Sequence, residues 1–250
     1  MLELKNVNYQ YPSDRVATVE HLSFRVEESE FVSIIGVSGC GKSTIFKLIN
    51  RLLSPQSGEI RVRDIPVEKQ KSYCGYMPQK DLLLPWRNVQ KNLALPLEIQ
   101  NITGTEKQAA IESVLEETGL SSVRHKLPGE LSGGMRQRAA FGRTLLTGSE
   151  LLLLDEPFTA LDFFTRLSMQ EWLLSKWQHY RKTILFITHD VEEAIFLSQK
   201  ILVVTETPIT SLQCIDVPLS YPRDRKYLAQ PEIIALKEHL ITLLKGQIAI

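Results

Sequence analysis

The stretch FVSIIGVSGCGKSTIFKLI (31–49) decides the fold class of this chain. It begins with a short apolar run, continues through a glycine-rich loop and ends in a segment of helical character. Residues 36–43 match the pattern G-x-x-x-x-G-K-[S/T] in full. Glycines let the backbone wrap around phosphate groups, and the N-terminus of the following helix attracts negative charge. The stretch therefore predicts a phosphate-binding loop between a buried β-strand and an α-helix.

The side chains of this loop predict a nucleotide-binding site with bound magnesium. We expect Lys42 to reach the β- and γ-phosphates and the Ser43 hydroxyl to ligate Mg²⁺. Backbone N–H groups of the loop should bind the phosphate oxygens. The residues expected to contact the nucleotide from this loop are Gly36, Ser38, Gly39, Cys40, Gly41, Lys42, Ser43 and Thr44.

A second predicted strand, in the stretch LLLLDEP (151–157), ends in two carboxylates. In α/β proteins, ligands bind at the carboxyl ends of the parallel strands. We therefore expect the Asp155 carboxylate to bind Mg²⁺ directly or to act from just outside its ligand shell, and Glu156 to polarise the water that attacks the γ-phosphate. The alternative for Glu156 is a solvated carboxylate in a loop. His189 follows the apolar run TILFIT (183–188), so it is a γ-phosphate candidate, although a lone histidine there can also be a packing or surface residue.

The order of predicted elements indicates an α/β core with a helical insertion. Alternating residues at the N-terminus predict antiparallel strands. Strand-like runs recur near 31–36, 58–62, 72–78, 150–157, 182–190 and 200–206. No convincing strand lies between residues 79 and 149, where residues 106–118 have helical spacing and Gly119 is a candidate C-cap. Strands separated by helical stretches at these lengths predict a parallel sheet, and 231–245 should form a closing helix.

Composition narrows the class of protein further. The chain has 250 residues and a formal net charge of zero, so no overall field favours nucleic acid or anionic lipid. Three widely spaced cysteines, without a CxxC pair, indicate reduced thiols rather than a disulfide framework or a zinc site. No apolar run approaches the roughly 18 residues of a membrane span, and the N-terminal residues do not have the pattern of a signal peptide.

The stretch LSGGMRQR (131–138) reads as a second phosphate cradle. A serine and two glycines open a basic helix there, so free backbone N–H groups and the helix dipole would point at one spot. The chain already has its phosphate loop at 36–44, and one phosphate chain cannot occupy two separate helix N-termini of one monomer. The two cradles need a further explanation.

At this point the sequence resembles the ABC-type ATPases. GVSGCGKST, Gln79, LSGGMRQR, LLLLDEP, the Leu-Asp pair at 161–162 and His189 occur in the order seen in that family, from about residue 2 to 220. The resemblance implies a P-loop NTPase (RecA-like) α/β core with N-terminal antiparallel β strands and an inserted α-helical subdomain. It implies one ABC ATPase domain over 1–250, with the α/β core in 1–79 and 150–220. The helical subdomain with LSGGMRQR, the signature motif of the family, would cover 80–149, and a C-terminal helical tail would cover 221–250.

The resemblance also accounts for the two cradles, because ABC ATPases pair head to tail on ATP. It implies that Ser132, Gly133 and Gly134 complete the ATP site of the partner, in a homodimer or with a related ABC ATPase. Asp162 would lie in the loop that crosses this dimer.

The same resemblance assigns two further positions around the nucleotide. Gln79 would contact Mg²⁺ or water and act in catalysis with Lys42, Glu156 and His189. Tyr11 stands where the family stacks an aromatic ring on adenine. Tyr9 is the competing candidate, and either ring could instead be a strand core residue.

The resemblance implies that ATP hydrolysis drives membrane transport. The alternative is a soluble ABC ATPase that acts on nucleic acid or the ribosome. The transporter interpretation implies transmembrane permease subunits, an indirect extracytoplasmic binding protein, a peripheral place on the cytoplasmic face of the membrane and no nucleic-acid partner. An apolar cluster follows Gln79, and its members either receive the permease or pack the helical subdomain: Leu82, Leu83, Leu84 and Trp86. The motifs are similar to those of importers for nitrate, aliphatic sulfonates, taurine and thiamine pyrimidine precursors.

Overall fold

The computed structural model describes residues 1–246, and the last four residues of the predicted C-terminal tail lie outside the described part. The described chain divides into two compact units, which are residues 1–73 with 179–246 and residues 74–178. The boundary near residue 178 falls in the last turn of a long helix. Within the described residues, no helix is both long enough and apolar enough to cross a bilayer. The three cysteines are free thiols.

The first unit contains a four-stranded antiparallel sheet. Its strands are β1 (Leu2–Tyr9), β2 (Val19–Val26), β4 (Ser57–Val62) and β5 (Ile65–Pro66), in the order β2-β1-β4-β5. The strands β1 and β2 pair with Leu2 opposite Val26, which buries alternate apolar residues on one face. This confirms the antiparallel strands predicted for the N-terminus.

The first unit also contains four strands of a second sheet, of which three are parallel and the last in sequence is antiparallel to its neighbour. They are β3 (Phe31–Ile35), β8 (Thr183–Ile187), β9 (Lys200–Val204) and β10 (Leu212–Asp216), in the order β10-β9-β3-β8. The strand β3 pairs parallel with both β8 and β9, and all five of its residues are buried. Such a strand reads as a continuous apolar run because helices cover both faces.

The helices of the first unit are α1 (Lys42–Ile49), α6 (Val191–Leu197) and α7 (Pro231–Lys245). The helix α7 matches the predicted closing helix at 231–245. A buried cluster ties α6 and α7 to the sheet, with Ile35 and Val203 from the strands, Ile195 from α6 and Leu240 from α7. This packing holds α6 against the sheet, and His189 lies two residues before the start of that helix.

The second unit is mostly helical. Its helices are α2 (Val89–Ile99), α3 (Gly104–Thr118), α4 (Gly133–Leu145) and most of α5 (Phe163–Tyr180). No strand lies between residues 79 and 149, as predicted, and α3 ends at Gly119, whose φ of 67° gives the expected left-handed C-cap. Two strands complete the unit, β6 (Cys74–Met77) and β7 (Leu151–Asp155), and they pair in parallel.

Candidate functional site: two phosphate cradles and a carboxylate strand

The loop between β3 and α1 has the backbone that its glycines predict. Gly39 has a φ of 81° and Gly41 a φ of 105°, values that residues with a Cβ rarely adopt. A Cβ on Gly41 would also lie 2.7 Å from Cγ2 of Thr18. At Gly36, a Cβ would lie 2.9 Å from the Sγ of Cys40. The loop therefore closes tightly upon itself, and only glycine fits at these positions.

The Lys42 side chain lies inside this loop. It is 5% exposed, and its ammonium donates hydrogen bonds of 2.9 Å to the carbonyl oxygens of Gly36 and Val37. Both acceptors are neutral, so neither cancels the charge of the ammonium. A cation held in a concave loop of backbone groups is the arrangement that binds phosphate.

The N-terminus of α1 is open toward this loop. No side chain caps it and no acidic residue lies in its first turn. The first helical N–H groups therefore have no carboxylate competing for them, which favours an incoming anion. Thr44 is buried in this turn, whereas Ser38 and Gly39 at the tip of the loop are exposed and Ser43 is half-buried.

Tyr11 lies beside the same turn. Its hydroxyl is 3.1 Å from the Thr44 hydroxyl, and its ring is half-buried. Tyr9 is only 7% exposed and meets Tyr11 edge to face, with ring centroids 5.0 Å apart. Tyr9 therefore packs in the strand and supports Tyr11, whose ring has the exposure that stacking on a base requires.

His189 lies between the end of β8 and the start of α6, and it is exposed. Its two neighbours in sequence are fixed by hydrogen bonds. The Thr188 hydroxyl bonds to the buried Glu193 carboxylate, and Asp190 caps α6 by accepting from the N–H groups of Glu192 and Glu193. None of these contacts is predicted above from the sequence, although an aspartate before an amphipathic run is a recognisable N-cap signal.

Asp155 is the last residue of β7 and is buried. The Tyr76 hydroxyl, on the neighbouring strand β6, donates a 3.3 Å hydrogen bond to its Oδ2. Burial raises the pKa of the Tyr76 hydroxyl above its ordinary value, and the Asp155 charge raises it further, so the phenol stays protonated and donates. Tyr76 was not among the predicted site residues.

Glu156 and Gln79, two predicted catalytic residues, lie together in the second unit. Nε2 of Gln79 donates to Oε2 of Glu156 at 3.2 Å, and the Thr159 hydroxyl donates to the same oxygen at 3.1 Å. Glu156 also has a φ of 45°, in the left-handed region that is unfavourable for a non-glycine residue. Such backbone conformations concentrate at functional sites.

The second cradle lies at the N-terminus of α4. Ser132 caps this helix by accepting a 3.3 Å hydrogen bond from the N–H of Met135, and no acidic residue lies in the first turn. A Cβ on Gly134 would lie 2.8 Å from Cγ2 of Thr165, and one on Gly133 would lie 3.1 Å from the Leu161 side chain. The glycines therefore also allow the loop before α5 to pack against this helix.

Asp162 belongs to that loop. Its carboxylate accepts a 3.1 Å hydrogen bond from the N–H of Thr165 at the start of α5. The Thr165 hydroxyl and backbone N–H hold the pKa of this carboxyl below its ordinary value, so it stays ionised. One surface pocket is lined by Ser132, Gly134 and Thr165. The loop before α5 therefore lies beside Ser132, the serine of the signature motif.

The donor groups fit a nucleotide with magnesium better than a metal held by protein alone. Among residues 1–246, no group of three or more His, Cys, Asp or Glu residues could hold a metal ion. Magnesium commonly takes one or two protein oxygens and completes its shell with phosphate oxygens and water. Ser43, in the first unit, and Asp155, in the second, are each an oxygen donor of this kind.

Comparison with known proteins identifies the family. The family model for ABC transporters matches residues 19–159. The chain belongs to the ABC transporter family. The aliphatic sulfonates import ATP-binding protein SsuB of Bacillus thuringiensis subsp. konkukian is 39% identical, over 84% of this chain and 82% of that protein.

Two further ABC relatives are similar over most of their length. The formylaminopyrimidine import ATP-binding protein ThiZ of Halalkalibacterium halodurans is 44% identical over 218 residues, 87% of this chain and 85% of that protein. The nitrate import ATP-binding protein NrtD of Synechococcus elongatus is 34% identical, over 97% of this chain and 91% of that protein.

The fold is that of a solved ABC cassette. A dimeric post-hydrolysis structure of the ATP-binding cassette MJ0796 with ADP and Pi has a TM-score of 0.76. The two sequences are 26% identical, and the match covers 88% of this chain and 100% of that one. The predicted P-loop ATPase fold is confirmed, and the protein is an ATP-hydrolysing enzyme that binds ATP.

Proposed function

We propose that this chain is the ATP-hydrolysing subunit of an importer, seated peripherally on the cytoplasmic face of the membrane. The observation that carries the proposal is similarity over 84% or more of the chain to three proteins named as import ATP-binding proteins. In this role, ATP hydrolysis drives transport through transmembrane permease subunits. An extracytoplasmic binding protein delivers the substrate to those subunits and meets this chain only through them.

The site residues have separable roles in this proposal. The ammonium of Lys42 neutralises the phosphates, and the ring of Tyr11 stacks on adenine. Glu156 accepts the proton of the attacking water, and Gln79, bonded to Glu156, orients that water. His189 contacts the γ-phosphate from the position just before the N-cap of α6.

Magnesium belongs to the same proposal. Ser43, Gln79 and Asp155 are the residues that would hold it. Mg²⁺ bound there would neutralise the charge that develops on the β- and γ-phosphate oxygens. The contribution of the chain is to present hard oxygen donors on fixed elements, a helix N-terminus for Ser43 and a strand end for Asp155.

The N-termini of two helices support an ATP-dependent dimer. The helices α1 and α4 each begin without an acidic residue, and each offers backbone N–H groups to an anion. In a head-to-tail pair, Ser132, Gly133 and Gly134 of one chain contact the ATP held by the other. The pair is a homodimer or a pairing with a related ABC ATPase, and loss of the γ-phosphate releases it.

The segment after Gln79 is suited to transmit this change to a permease. Leu82 is 58% exposed and Trp86 is 73% exposed, whereas Leu83 is buried and packs inside the unit. The Arg143 guanidinium, on α4, donates to the carbonyl oxygens of Asp81 and Leu82 at 2.7 and 2.8 Å. A permease that displaces this segment would therefore also displace α4, the helix that begins with the signature glycines Gly133 and Gly134.

The substrate proposed is a small anion or a heterocycle. The candidates are an aliphatic sulfonate, nitrate or a thiamine pyrimidine precursor, in keeping with the names of the similar proteins, and taurine, which is itself an aliphatic sulfonate. Deleting the gene and supplying each compound as the sole sulfur, nitrogen or pyrimidine source tests the choice. Loss of growth on one compound, restored by the intact gene, identifies it.

The transporter role is tested by capture from the native host. The chain is tagged with Glu156→Gln, membranes are solubilised in mild detergent with ATP, and the co-purifying proteins are identified. A stoichiometric multi-span protein supports the importer. Recovery of ribosomes, nucleic acid or only a soluble ATPase would instead favour a soluble ABC ATPase and overturn the importer. A Lys42→Ala form of the bait is the matched control for nucleotide dependence.

A further inference from the structure

Tyr76 and Asp155 meet across two neighbouring parallel strands. In the pairing of β6 with β7, Tyr76 is opposite Leu153 and Met77 is opposite Leu154. Because side chains alternate along a strand, Asp155, two residues beyond Leu153, points to the same face as Tyr76. The Tyr76 side chain reaches forward along this face, and its hydroxyl donates to Oδ2 of Asp155 at 3.3 Å.

The register that makes this contact is fixed by the opposite face of the two strands. Gly75 is opposite Leu152 and faces α4. A Cβ at Gly75 would lie 2.9 Å from both Thr144 Cγ2 and Thr147 Oγ1. Any shift by one residue would turn the Tyr76 side chain into this closely packed face. The contact therefore follows from the packing of the sheet and not from a chance rotamer.

We propose that Tyr76 is a positioning residue that orients the Asp155 carboxylate for Mg²⁺. The inference rests on the proposed function, in which Asp155 is a magnesium ligand. Tyr76 itself acts only through Asp155 and touches neither the nucleotide nor the metal.

An aspartate carboxylate rotates easily unless a neighbouring group restrains it. The torsion that rotates a carboxylate has broad, shallow minima, so a metal ligand of this type needs a second partner to hold one orientation. A phenol that donates to one carboxylate oxygen supplies that restraint. Partners of this kind around metal ligands change metal affinity or activity by about 10- to 100-fold when they are removed.

The hydroxyl, rather than the ring, carries the effect. Tyr76 is half-buried, and a phenylalanine would pack equally well against the strands on its apolar side. A phenol hydroxyl in such a place costs free energy unless it is hydrogen-bonded, so packing alone gives no reason for it. Tyr76→Phe therefore removes the hydrogen bond to Asp155 and keeps the packing of the ring.

The test measures metal binding directly. Mn²⁺ is titrated into the protein with saturating ADP, and free Mn²⁺ is read by electron paramagnetic resonance after correction for ADP alone. We expect Tyr76→Phe to weaken Mn²⁺ binding by about 10-fold. Its thermal midpoint and its metal-free ADP affinity should match the parent. Tyr221→Phe is the matched control, because it removes a hydroxyl that donates to Leu197 O at 2.8 Å, in the other unit.

Asp155→Asn, alone and combined with Tyr76→Phe, distinguishes failure of the positioning role from failure of the proposed metal site. If Asp155→Asn weakens Mn²⁺ binding and adding Tyr76→Phe to it costs nothing more, the two residues act as one unit and the proposal stands. If Asp155→Asn weakens binding and Tyr76→Phe does not, the positioning role is wrong and the metal role of Asp155 survives. If Asp155→Asn has no effect, the assignment of Asp155 to the metal is itself overturned.

Discussion

Nε2 of Gln79 lies 3.2 Å from Oε2 of Glu156, although 77 residues separate them in the chain. The amide donates to the carboxylate oxygen, so the proposed water-orienting residue and the proposed base are held as one unit. The Thr159 hydroxyl donates to the same oxygen. Glu156 is thus fixed from two sides, in a left-handed backbone conformation that a free loop would not favour.

Glu156→Gln should stop hydrolysis while ATP still binds. A glutamine keeps an oxygen that accepts from Gln79 and Thr159, so the local geometry is retained and only the basic group is lost. General-base catalysis contributes about 10²- to 10⁴-fold, and we expect the ATPase rate to fall within that range. Light scattering with Mg-ATP should then show a stable dimer. Wild-type turnover, or a monomer at saturating ATP, would contradict the assigned role.

Lys42→Ala should abolish measurable nucleotide binding, because the main cationic partner of the phosphates is lost. Isothermal titration with ATP measures this directly. Lys47→Ala is the matched control, since it removes the same charge from the last turn of the same helix. ATP affinity that remained normal in Lys42→Ala, with Lys47→Ala also normal, would show that the backbone of the loop binds phosphate without the ammonium.

Tyr11→Ala should weaken ATP binding through loss of base stacking. Stacking of a base on an aromatic ring is worth about 1–3 kcal/mol, so we expect a rise in Kd of roughly 5- to 150-fold. Tyr11→Phe should bind ATP nearly as well as the parent, because it loses only the 3.1 Å contact with Thr44. ATP affinity that stayed normal in Tyr11→Ala would show that the stacking assignment is wrong.

Gly134→Ala should destabilise the second unit, because the added Cβ would lie 2.8 Å from Cγ2 of Thr165. Overpacking of this kind costs about 1–3 kcal/mol, which a urea titration can resolve. The double variant with Thr165→Ser removes the clashing methyl group and should restore stability.

ATPase activity of the double variant then tests the proposed contact of Gly134 with the ATP of a partner chain. If the glycine also gives a partner's ATP access to the helix N-terminus, the double variant should be stable and nearly inactive. Recovery of both stability and activity would limit Gly134 to packing and would weaken the proposed dimer contact.

Cys40 should react slowly with thiol reagents, and its reaction should inactivate the enzyme. The thiol is only 4% exposed inside the phosphate loop, whereas Cys214 is exposed on β10. We expect rapid labelling of Cys214 without loss of activity, then slow labelling of Cys40 that ATP prevents. Mass spectrometry with activity assays follows both. Inactivation that persists in Cys40→Ala would assign the effect to another cysteine.

Several elements could be predicted because their signals are local. The strand β3 and the loop after it are encoded in one stretch of apolar residues and glycines, and α3 ends at the glycine predicted as its cap. The strand β10 was missed, because Leu212–Asp216 is mostly exposed and has no apolar alternation. It forms only because β9 offers it an antiparallel edge.

The sequence by itself determined the phosphate loop, the order of the motifs and hence the family, because these depend on residue types at fixed short spacings. Tertiary structure alone decided which side chains support the reacting groups. The Tyr76 contact with Asp155 depends on the register of two strands whose residues lie 79 positions apart, and no local pattern encodes that register. The choice between Tyr9 and Tyr11 likewise depends on which ring the fold buries.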